Sequence, residues 1–167
     1  MSEFELRGNY LISSSYPVDP IFFEENIYKL ITIFGSSEFL FNNFKEDSEY
    51  FFERAKEFEI SKASEILISL AVMSRSFLDS GIISKESCKK QIVGKIIVDK
   101  KNKPLNFRDS CNKIIHAESI NFDISNSKSI KDGFLNPIVY LYGEYQDSQW
   151  KAIVNIIDFC KAANDSF

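Results

Sequence analysis

The stretch Asn106-Phe-Arg-Asp-Ser-Cys-Asn-Lys-Ile-Ile-His116-Ala holds the residue types in this chain best suited to phosphate chemistry. Written as one helix, it places Arg108, Asn112 and His116 at i, i+4 and i+8, a slowly turning polar stripe. Asp109 and His116, at i and i+7, fall nearly in line. A guanidinium grips two phosphate oxygens at once, and an imidazole moves a proton near neutral pH, so the stripe suits a phosphodiester. Ile114 and Ile115 lie off it and are expected to face the core. The same residues also have a purely structural reading, with Asp109 supporting the helix N-terminus and His116 its C-terminal end.

Most other familiar catalytic signatures are missing, and a Ser/His/Asp or Cys/His arrangement, whose members converge only in the fold, is left open by the sequence. A single histidine rules out a paired-histidine zinc motif, and Cys88, Cys111 and Cys160 are too widely spaced for a metal knuckle or a disulfide framework. No glycine-rich phosphate loop of the dinucleotide or P-loop type occurs. No cofactor and no metal are therefore expected.

The order Arg108-Asp109 followed by His116 resembles the HEPN superfamily, helical domains often found in prokaryotic defence and toxin modules, although the gap between Arg and His is longer here than is usual there. In nuclease members of that family the Arg and His of two protomers meet across a dimer interface and cleave RNA without metal. The resemblance implies a homodimer in which Arg108 holds the scissile phosphate, His116 assists proton transfer, and Asp109 or Asn112 orients them.

The chain has 167 residues, 44% of them hydrophobic, with a net charge of −4. Residues 84–113 are a basic island of net +6 between acidic segments of −7 and −3. Lys100, Lys101, Lys103 and Lys113 of that island are the expected RNA contacts. The acidic total supports an alternative, a non-enzymatic protein-interaction module of adaptor, immunity or antitoxin type. Phe39, Phe41, Phe44, Phe51 and Tyr140 are then the candidates for its apolar surface. The acidic start Met1-Ser2-Glu3-Phe4-Glu5 and the unpaired cysteine count predict a cytoplasmic protein. No membrane span is expected, because the longest apolar run, Ile66 to Met73, is broken by Ser69.

The elements that must position these residues read as mainly α. Asp19-Pro20 opens a helix that Gly35 is expected to stop, and Ser37 caps a short second helix. A longer pattern starts at Asp47, either runs on or breaks near Ser61 into Glu65 to Leu78, and ends at Gly81. Ser84 to Asp99 suits a helix or a strand, and Lys100 to Pro104 reads as a polar connector. Asn106 caps the helix that carries the phosphate-binding stripe. Tyr10 to Ile12 is strand-like. Alternation at Ile120, Phe122 and Ile124, with a β-branched run from Ile138 to Tyr145, predicts one antiparallel hairpin over about 119–145. Trp150, Ile153, Val154, Ile157 and Cys160 form the apolar face of a terminal amphipathic helix over about 148–163. The expectation is a single helical-bundle-like domain over residues 1–167 with one small hairpin near its C-terminus.

Overall fold

A computed structural model describes residues 19–44, 49–125, 133–146 and 148–166. The strand expected at Tyr10 to Ile12 lies outside them. The elements run α1 (Pro20–Phe44), α2 (Glu49–Ser80), α3 (Lys85–Lys90), β1 (Ile92–Val98), β2 (Lys101–Asn106), α4 (Phe107–Ile115), β3 (Ser119–Ser125), β4 (Phe134–Tyr145), β5 (Ser148–Asn155) and α5 (Ile156–Asn164). The strands form one antiparallel sheet in the order β2-β1-β5-β4-β3. The architecture is α+β, which corrects the mainly helical expectation.

Two segments account for the difference. Trp150, Ile153 and Val154 fit a helical period, yet Ser148 to Asn155 is the central strand β5. Alternate residues Trp150, Ala152 and Val154 are buried, and those between them are only partly covered or exposed. Short apolar runs satisfy both periods, and here the pairing of β5 with β1 and β4 decides. The helix starts only after Asn155, whose side chain accepts hydrogen bonds from the Ile157 and Asp158 backbone N–H groups. The supposed connector is the edge strand β2, joined to β1 through Asp99 and Lys100, both at positive φ (49° and 65°). That conformation turns a two-residue hairpin without needing glycine or asparagine in the sequence.

The helical half runs straighter than expected. Gly35 does not stop α1, where burial of Phe34 and Ser37 carries the helix through, and of the two alternatives at Ser61 the continuous helix is the one formed, with Ala63 buried just beyond it. Gly81 does stop α2: at φ +79° it lets the Ile82 N–H reach back to the Phe77 carbonyl at 3.0 Å. Helices α1, α4 and α5 pack on the sheet, and α2 packs outside them against α1 and α4. The inner sheet residues Val93, Leu105, Val139, Leu141, Ala152 and Val154 join the buried helix faces in one continuous core. No helix among the described residues is long and apolar enough to cross a membrane.

Candidate functional site

Helix α4 is fixed at its N-terminus by Asn106, whose side-chain oxygen accepts from the Asp109 N–H at 2.8 Å while its amide donates to the Asp109 carboxylate at 2.9 Å. Asp109 is thus committed to the cap. At the other end His116 is the exposed C-cap, its backbone N–H returning to the Asn112 and Ile114 carbonyls. Eight residues of helix put about 12 Å of axial rise between Arg108 and His116. The stripe read from the sequence therefore splits. Arg108 stays near the N-terminus, half-buried, with its Nε lacking a hydrogen-bond partner, whereas Asn112 and His116 meet at the C-terminal end.

A cleft of about 650 Å³ opens at that end, lined by Arg75, Asn112, Lys113, His116, Glu144, Tyr145 and Trp150. Arg75 comes from the outer helix α2. Its Nη1 donates to the Asn112 Oδ1, and its Nη2 lies 3.4 Å from the Asp79 carboxylate. In the sequence Arg75 reads either as a partner of Asp79 one turn on or as a side chain snorkelling to the surface, so its place beside Asn112 is not legible there. The one available signal was an arginine on a helix apolar on nearly every side. Arg75 supplies the fixed cation next to Asn112 and His116 that the sequence assigns to Arg108.

Lys113 crosses from α4 to β5, with Nζ 4.2 Å from the centroid of the Trp150 ring. Burial pushes its pKa below the ordinary lysine value, with Asp109 one turn earlier opposing the shift. Trp150 is itself held from behind. A Cβ on Gly143, its cross-strand partner, would run into the indole ring. The cleft thus brings together two cations, an imidazole, a carboxylate and an aromatic wall. Among the described residues no cluster of three or more His, Cys, Asp or Glu side chains could hold a metal ion.

Lys100 and Lys101 sit at the β1–β2 turn, at the same end of the sheet as the cleft. Lys101 pairs with Val98, Val98 with Trp150, and Trp150 with Gly143, one row across the sheet. Lys101 and Trp150 therefore share a face, about 10 Å apart at the backbone. Lys103 lies one pleat further along the same edge and, like Lys100 and Lys101, is exposed. Of the apolar candidates, Phe39, Phe44 and Phe51 are exposed, while Phe41 packs between Phe52 and Phe134. No protein-family model, curated protein or solved structure matches this chain.

Proposed function

We propose that the cleft between α2, α4 and the β4–β5 hairpin binds RNA through its phosphate backbone and cleaves it without a metal ion. The observation that carries this reading is the hydrogen bond of Arg75 to Asn112 in the same cleft as His116. Arg75 and Lys113 balance the charge that builds on the phosphoryl oxygens as the ribose 2′-oxygen attacks phosphorus and the bond to the 5′-oxygen breaks. His116 moves the proton, and Asn112 holds Arg75 in place. The products are a 2′,3′-cyclic phosphate and a free 5′-hydroxyl. Lys100, Lys101 and Lys103 supply a basic approach. The test is incubation of the protein and its His116→Ala variant with total cellular RNA in EDTA, with circular dichroism as the folding check. Cleavage by the wild type alone supports the reading, and equal turnover by both ends the role of His116.

A second reading, a protein-interaction module, draws on the outer face of the α1–α2 pair. There Tyr28 and Phe58, 70% and 61% exposed, border an apolar groove of about 370 Å³. Stable recovery of a protein partner that Phe58→Ser abolishes would favour it, and recovery of nucleic acid alone would not.

A further inference from the structure

The sheet has two faces, and the helices cover one. Register places Ile97, Lys151, Tyr142 and Ser119 in one row of the other face, and Lys95, Ile153, Tyr140 and Asn121 in the next. None of their apolar members belongs to the core or packs against it, so no described helix lies on this side. An aromatic pair at its centre is unusual for a face left to water. The Lys151 ammonium is bracketed by the two rings, 4.6 Å from the centroid of Tyr140 and 5.2 Å from that of Tyr142.

The platform is built, not incidental. The Tyr140 hydroxyl donates to Asp123 at 3.0 Å, and Asn136 donates to the other carboxylate oxygen at 2.7 Å. Ser125 in turn donates to the Asn136 side-chain oxygen. Asp123 is thereby held at the β3 side of the rings, Lys95 and Lys151 are the cations of this face, and Glu144, next along β4 on the same face, is an exposed carboxylate.

We propose that this face is a docking platform for single-stranded RNA, its bases stacking on Tyr140 and Tyr142 and its phosphates meeting Lys151 and Lys95. The proposal rests on the reading of the cleft as an RNA site and names the strand that feeds it. The two lysines beside the rings offer local contacts to phosphates, and the paired rings select unpaired bases, whose faces a duplex keeps stacked within itself. The path is continuous. A hollow of about 180 Å³ lined by Tyr142, Gly143, Glu144, Gln149 and Trp150, together with Glu118, shares Glu144 and Trp150 with the cleft. A strand leaving Tyr142 therefore turns round the end of the β4–β5 hairpin into the site of His116.

The test is fluorescence polarisation in EDTA with a labelled 2′-O-methyl RNA of about twelve nucleotides, within the span of a single-strand groove. Its blocked 2′-oxygen cannot take part in the proposed cleavage. The expected result is binding that Tyr142→Ala weakens on the order of tenfold and Tyr142→Phe by no more than about twofold, since the ring and not the hydroxyl stacks. Lys151→Gln, with circular dichroism as the folding check, should weaken it as well, and a duplex of the same length should bind less tightly. Wild-type affinity in both Tyr142→Ala and Lys151→Gln, with loss in Arg75→Met, overturns the platform and leaves the cleft reading standing. The reverse pattern, combined with unaltered RNA cleavage by Arg75→Met and His116→Ala, supports the platform and ends the cleft reading. No binding by the wild type, or capture of a protein on this face in place of RNA, overturns the platform outright.

Discussion

Arg75 on α2 and Asn112 on α4, 37 residues apart in sequence, are joined by a hydrogen bond from guanidinium to side-chain amide oxygen. The bond ties the outer helix to the helix that carries His116. It also aims a permanent cation into the cleft, and the two effects are separable by experiment.

A double-mutant cycle of Arg75→Met and Asn112→Ala should show a coupling of about 1 kcal/mol in urea unfolding. That is below the usual range for a hydrogen bond to a charged group because the Arg75 side chain is 26% exposed. Strict additivity would mean that the contact contributes no stability. The Asp79 pair, longer at 3.4 Å and with its carboxylate 59% exposed, should contribute less.

Lys56 is buried on α2 with its side chain 1% exposed, 2.8 Å from the Glu59 carboxylate. Both meet the Ser37 hydroxyl, which also accepts from the Leu135 N–H at 2.9 Å and so links α1, α2 and β4. Lys56→Met strands the Glu59 charge and should cost roughly 3–5 kcal/mol of stability. Adding Glu59→Leu should restore much of the loss. A double variant no more stable than Lys56→Met would show that the Ser37 network, not the charge pair, governs this site.

Burial pushes the thiols of Cys111 and Cys160 up from 9.0 to about 12. Above pH 9 the unfolded chain releases protons that the folded chain keeps, so the stability each buried thiol confers is full below pH 9 and falls as pH rises toward 12. The slope is about 1.4 kcal/mol per pH unit for each thiol. Lys113 works the other way: its lowered pKa makes folding less unfavourable as pH climbs through its own value toward 10.5. Comparing the wild type with Cys160→Ala in urea at pH 8 and pH 10 isolates one thiol. The difference in stability between them should shift in favour of the variant at the higher pH, and a constant difference would contradict the assignment.

Gly143→Ala should push the Trp150 ring away from β4 and disturb its stacking with Lys113. Trp150 is the only tryptophan, so its emission reports the change directly. A red shift with roughly 1–3 kcal/mol of destabilisation is expected from overpacking. RNA turnover should fall with it. An unshifted spectrum at full stability would show that the ring has room to spare.

Much was legible before any coordinates. Asp19-Pro20, Gly81 and the Asn106 cap mark helix ends through local hydrogen bonding, which acts over a few residues and is written in the sequence. Strand β3 is likewise legible by alternation, and the later part of β4 by its β-branched and aromatic run. The placing of Asn112 and His116 one turn apart is legible too, because helical spacing alone brings them there.

What only the tertiary structure decided is the partnership between distant segments. Whether Trp150 to Val154 becomes strand or helix depends on which strands flank it, and nothing local distinguishes the two periods in so short a run. Once β5 takes the centre of the sheet, Trp150 turns inward beneath Lys113, Lys151 turns outward between two tyrosines, and Arg75 arrives from another helix. The sequence by itself determined the chemistry available, one imidazole and a basic island. Packing determined which cation stands beside that imidazole, because burial of a shared core, and not proximity along the chain, sets which side chains converge.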